Sequence, residues 1–114
     1  MKRFPSIKKG QDFQIVYGEK KSYANKELVM YVRQTGQTGR RIGISVSKRV
    51  GNSVVRHRVT RLIRECFRLN QERLTTGLDI VVVARAAAAV SDYKNIERAY
   101  LHLCGLHNIF RESK

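Results

Sequence analysis

Asn52-Ser-Val-Val-Arg-His-Arg-Val-Thr-Arg-Leu-Ile-Arg-Glu-Cys-Phe-Arg-Leu-Asn-Gln71 carries two patterns at once. On a helix of about 3.6 residues per turn, with Val55 set at zero, Val59, Leu62, Ile63, Cys66 and Leu69 fall between roughly 320° and 80°, a stripe fit for burial. His57, Arg61, Arg64 and Arg68 fall at roughly 180° to 240° by the same spacing, with Arg58 and Arg56 on the two shoulders. The segment is predicted to be a helix from Asn52 to about Gln71, with one face in a core and five arginines crowding the rest.

Working outward, Arg41 to Ser47 alternates: Ile42, Ile44 and Val46 point one way, and Gly43, Ser45 and Ser47 form a small, half-open face. Leu28 to Arg33 is a second strand, with Leu28, Met30 and Val32 on one side and Val29, Tyr31 and Arg33 on the other. Gln34 to Gly39 is a turn between them. Before these strands, Phe13, Val16 and Tyr17 mark a short helix between Lys8 and Tyr17, which Gly18 is expected to end with a positive φ. After the arginine helix, Leu78 to Ala84 is a β-branched run suited to a central strand covered on both faces. Ile96, Ala99, Tyr100, Leu103, Leu106 and Phe110 then recur at helical spacing from about Asp92 to Phe110, with Ser91 or Asp92 as cap. This order gives an α+β sandwich on a mostly antiparallel sheet. Its strand-helix-strand unit from Ser47 to Leu78 would be right-handed by general rule.

A chain of 114 residues is expected to form one domain, residues 1–114. Its 23 Lys and Arg against 9 Asp and Glu give a net charge of +14. Such an excess repels itself until a polyanion neutralises it, and counterion release makes nucleic acid the natural partner, with anionic membrane as competitor. No apolar run approaches the roughly 20 residues needed to span a bilayer, and the N-terminus lacks a signal-peptide core, so a cytoplasmic location and no membrane partner are expected. Cys66 and Cys104 are far apart and are read as buried, reduced packing residues.

Arginine suits bidentate phosphate contacts and stacking on bases, which fits Arg56, Arg58, Arg61, Arg64 and Arg68. A solvated face held by ion pairs is the alternative, but Glu65 is the only acid between Arg56 and Arg68. Lys48, Arg49 and Asn52 bring further polar groups to the helix N-terminus, where free amides favour phosphate; a purely structural loop is the other reading. Phe13 and Tyr17 stand one turn apart, and Tyr31 shares a strand face with Arg33, an arrangement suited to stacking unpaired bases. Phe13 and Tyr17 could equally anchor the first helix. On one helix His102, Cys104 and His107 point apart, so no metal site is expected there. No paired carboxylates and no nucleophile signature suggest catalysis by the protein itself.

The run from Arg41 to Glu65 closely resembles the core of bacterial ribonuclease P proteins, supported by Asp12-Phe13, by Leu28 to Tyr31 and by Asp79 to Arg85. The family's Arg-Asn-Arg element is matched by Arg56, His57 and Arg58, with histidine at the centre, and Thr60 stands where the family often carries lysine. The resemblance implies an α-β-β-β-α-β-α sandwich of the ribosomal protein S5 domain 2-like type, with an unusual left-handed crossover in place of the right-handed one. It implies that Lys48, Arg49, Asn52, Arg56, His57, Arg58, Arg61, Arg64 and Arg68 bind a catalytic RNA. Phe13, Tyr17, Tyr31 and Arg33 are implied to hold the 5′ leader of precursor tRNA. In such an assembly the RNA subunit binds Mg2+ and cuts the phosphodiester, the protein alone is inactive, and no obligatory protein partner is expected. Two other classes remain open: a ribosomal or structural RNA-binding module, and a nuclease using Asp12, Glu65 and Asp79.

Overall fold

Leu78–Ala84 is bonded on both edges and covered on both faces, as its β-branched run requires. The computed structural model describes residues 6–8 and 10–111. In chain order it contains α1 (Gly10–Gly18), β1 (Ser22–Ala24), β2 (Leu28–Gln34), β3 (Arg40–Ser45), α2 (Ser53–Asn70), β4 (Leu78–Ala84) and α3 (Tyr93–Leu106), with short 3-10 turns at Gln71–Arg73 and Ala86–Val90. The sheet order is β1-β2-β4-β3. β4 pairs antiparallel with β2 and parallel with β3, so α2 is the crossover between two adjacent parallel strands. The order and the mixed sheet are those expected for this α+β sandwich. Among the described residues, no helix is long and apolar enough to cross a membrane.

The two sheet faces are covered unequally. Leu28, Met30, Val32, Ile42, Ile80 and Val82 pack against α2 and α3 in the main core. Tyr31, Val81 and Val83 meet α1 on the opposite face in a smaller cluster with Ile7 and Val16. At about 25 cal/mol per Å² of apolar surface buried, the larger face carries most of the stability and the smaller one chiefly positions α1.

Asn52 caps α2, its side-chain oxygen accepting from the Val55 amide at 3.0 Å, and Asp92 caps α3 through the Asn95 amide at 2.9 Å. Four expectations are corrected. Gly18 ends α1 without a positive φ; Lys20, two residues on, takes the left-handed conformation instead, at φ 57°. Leu69 is 54% exposed while Phe67 and Asn70 are buried, because the buried stripe of α2 centres nearer 60° than zero and leaves Leu69 on its margin. α3 stops at Leu106, which is exposed, and the chain turns at Asn108 so that Phe110 bridges Leu74 outside the helix. β3 ends at Ser45, two residues early. Cys66 and Cys104 are both buried and free, as read.

Candidate nucleic-acid interface

The geometry of α2 sorts its cations. Arg61 and Arg64 are exposed and make no ion pair with the described residues. Arg68 is instead paired with Glu65 one turn away, which spends part of its charge within the helix. Arg58 crosses to the 3-10 turn before α3 and donates to the carbonyls of Ala89 and Ser91. It is both a surface cation and a tether. Arg56 is half-buried at the shoulder beside the core stripe, and its Nε is enclosed with no hydrogen bond to the described residues. With Ser53, His57 and Thr60 it lines a depression over Ile44 and Val46.

Lys48 and Arg49 lie exposed in the turn that leads from β3 into α2. That turn is pinned by Val50, buried and donating its amide to the Ser47 carbonyl at 3.0 Å, so both cations are displayed from a fixed base. Asn52 has its side-chain oxygen committed to the cap, leaving only its amide NH2 for a ligand.

On the other face, α1 and β2 bring the three predicted aromatics together. Tyr17 meets Tyr31 edge-on with centroids 4.8 Å apart, and Phe13 lies 6.3 Å from Tyr17 in a tilted arrangement. Burial, together with Tyr31, pushes the Tyr17 phenol above its ordinary pKa, against a hydrogen bond with Ser45. The small-residue face is less open than expected. Gly43 is covered by the Phe13 ring, and a Cβ there would stand 2.9 Å from it. The glycine makes room for an aromatic side chain of this protein, so only the stretch beyond it toward Ser45 and Ser47 remains accessible.

Arg33 shares the Tyr31 face, but its guanidinium is turned to buried Asp79 at 3.7 Å. What sequence reasoning missed is the pairing of Asp79 with Arg41. Arg41 grips Asp79 with two hydrogen bonds, of 2.8 and 2.7 Å, and lies 3.6 Å from Asp12 of α1. Hydrogen bonding to Asp79 raises the Arg41 pKa above its ordinary value, against desolvation. Arg33, Asp79 and Arg41 form one cross-strand row because Asp79 is opposite both in the pairing. Through Asp12 that row fixes the turn of α1 that carries Phe13. Buried charges persist when paired in this way.

His102, Cys104 and His107 go separate ways: His102 to Asn25, Cys104 into the core beside Tyr100, and His107 to the Met30 carbonyl.

The two surfaces meet at the end of β3. Ser45 faces Tyr17, while its neighbour Val46 faces Arg56 and His57. Adjacent residues, the last of β3 and the one that follows it, thus join an aromatic cleft to an arginine helix, and the Lys48-Arg49 turn lies at the junction.

The ribonuclease P family model matches residues 1–107. A ribonuclease P protein component from Lachnoclostridium phytofermentans is 53% identical over 109 residues, covering 96% of this chain and 94% of that protein. The ribonuclease P protein of Staphylococcus aureus superposes with a TM-score of 0.85 at 34% identity, covering 96% of this chain and all of that one. That of Thermotoga maritima superposes at 0.79 with 30% identity, covering 89% and 94%.

Proposed function

Because this chain belongs to the ribonuclease P protein family, the protein subunit of the ribonucleoprotein that removes the 5′ leader of tRNA with an RNA catalyst, we propose that its two surfaces divide the work between two RNAs. Arg61 and Arg64, with Arg56, His57, Arg58, Arg68 and the Lys48-Arg49-Asn52 entry, dock on the catalytic RNA. Phe13, Tyr17 and Tyr31, with Arg33 at the margin, hold the single-stranded leader of precursor tRNA. The observation that carries this reading is the meeting of the two surfaces at Ser45 and Val46, which lets one 114-residue domain touch catalyst and substrate together.

The physical roles differ. Phosphate contacts from the helix supply salt-sensitive affinity without reading sequence. Stacking on the aromatic cleft tolerates any leader, at about 1 to 3 kcal/mol per base. His57 in place of the family's asparagine leaves the flanking arginines able to bind phosphate and replaces an amide by an imidazole.

Ribonuclease P requires a divalent metal. The carboxylates nearest the cleft, Asp12 and Asp79, are both engaged by Arg41, so they do not form a set suited to a cation. We assign the Mg2+ ions to the RNA subunit. The protein's cations, set between two polyanions in the cytoplasm, lower the metal concentration needed to bring them together.

The test is cleavage of leader-bearing precursor tRNA at low Mg2+ by protein alone, by a bacterial ribonuclease P RNA alone, and by both. Cleavage only in the mixture is expected. A mixture no faster than RNA alone would return the chain to a structural RNA-binding role, and cleavage by protein alone would place chemistry on it.

A further inference from the structure

The edge of the sheet opposite β3 carries a second groove that none of the surfaces above includes. Lys20, Lys21, Ser22 and Tyr23 line one side and His107 and Asn108 the other, around about 510 Å³. Its walls are held in place. His107 Nε2 is hydrogen-bonded to the Met30 carbonyl at 2.8 Å, and the Tyr23 ring stands edge-on to the imidazole at 4.8 Å. Tyr23 nevertheless remains 46% exposed. Lys20 and Asn108 are the two non-glycine residues with positive φ among those described, both at 57°, and both line this groove. Left-handed backbone at a lysine costs roughly 1 kcal/mol or more, a strain that collects at binding sites more often than elsewhere.

The groove lies around the β1 edge from the aromatic cleft, because Tyr23 pairs with Met30 and shares its α3-covered face. Ser22 is the direct cross-strand partner of Tyr31, about 5 Å away across one strand spacing. β1 is the last strand of the sheet, with nothing bonded to its outer edge among the described residues. A chain lying over Tyr31 therefore reaches Ser22 next, turns the open edge beside Lys20 and Lys21, and meets the ring of Tyr23. Lysines act as mobile point charges and suit a loosely held phosphodiester, in contrast to the fixed arginine forks of α2.

We propose that this groove is an outer subsite for the single-stranded leader, in which Lys20 and Lys21 pair with phosphates upstream of the aromatic cleft and one base stacks on Tyr23. The proposal rests on the leader reading given above. Stacking there is sequence-tolerant, as a subsite for leaders of differing sequence must be.

The experiment measures affinity of the reconstituted holoenzyme for precursor tRNAs whose leaders lengthen one nucleotide at a time. The unaltered protein should gain affinity in two increments, first as the leader fills the aromatic cleft and again as it reaches the groove. A Lys20→Ala, Lys21→Ala double variant and, separately, Tyr23→Leu should each remove the second increment, about tenfold for the tyrosine, and leave the first. The double variant alters only exposed side chains, so its folding is not at issue. A second increment that survives both variants overturns the proposal. So does an equal loss on leaderless tRNA or in assembly with the RNA subunit, because the groove would then contact that RNA. Failure of the underlying reading has a different signature: Tyr17→Ala and Tyr31→Ala would leave the first increment intact.

Discussion

Phe13 stacks against Gly43 with room for no more than a hydrogen: a Cβ on the glycine would lie 2.9 Å from Cζ of the ring and 3.1 Å from Cβ of Ile7. Gly43→Ala should therefore swing Phe13 out of the cleft and cost about 1 to 3 kcal/mol, the range for overpacking a close contact. Thermal melting reads the cost. Affinity for leader-bearing precursor should fall toward that of Phe13→Ala, while affinity for leaderless tRNA holds. Unaltered precursor binding in Gly43→Ala would remove Phe13 from the leader site.

Arg58 and Arg61 lie on the same helix but should separate in experiment. Arg61 has no ion pair among the described residues, so Arg61→Ala should lower the slope of log affinity for the catalytic RNA against log salt by about 0.7 to 0.9 and leave the melting temperature unchanged. Arg58→Ala should change the slope similarly and also lower stability by about 1 kcal/mol, because its bonds to Ala89 and Ser91 are lost. Equal melting temperatures would remove the tether; an unchanged slope in Arg61→Ala would remove α2 as the docking face.

Stability should fall on mild acidification through His107. Burial lowers its pKa below the ordinary 6.5, against the bond to Met30, with Lys21 lowering it further. Above the unfolded value both states are neutral and there is no effect. Below it the unfolded chain binds a proton that the folded one resists, so stability declines as pH drops from about 6.5 toward the folded pKa. His107→Gln should flatten that part of a denaturation-versus-pH curve; an unchanged slope would mean that His107 does not titrate in it.

Both thiols should be silent in the native protein. Burial pushes Cys66 and Cys104 each up to about 12, so no thiolate is available near neutrality and no reagent reaches them. Alkylation should proceed only at the rate of unfolding, and should accelerate with denaturant in step with loss of structure. Rapid labelling of either cysteine under native conditions would contradict the burial described.

The arginine helix was legible because one amphipathic period fixes both its faces at once. Several errors around it share a cause: they depended on a partner distant in sequence. Leu69 and Phe67 exchange burial because α3 and the sheet set the axis of the stripe, and local spacing resolves that axis only to within one residue. Arg33 was read beside Tyr31, and it is, but Asp79 was read only as part of the family match and as a carboxylate of the alternative nuclease, not as the partner of two arginines. Only the pairing of β4 with β2 and β3 puts Arg33 and Arg41 on either side of it. β1 left no periodic signal since its three residues are all exposed, and the order of strands that includes it came from the family resemblance. The aromatic cleft was found by side-chain type and strand face; its filling by Phe13 over Gly43 was not, because a glycine reads equally as open space and as a seat.

β2 and β3 are separated in the chain by a turn of only a few residues, yet they never bond to each other: β4 lies between them. The ordinary hairpin that such a turn would close is thereby ruled out in the finished protein, and the slot between the two strands waits for a segment that arrives after α2. During synthesis the arginines of Ser53–Asn70 emerge before the strand that completes their support. Residues as far as Ala84 must have left the ribosome before the sheet can close, and contacts so distant in sequence form slowly. The arginine face and the aromatic face therefore mature together, in one late step, and a chain truncated before β4 should possess neither.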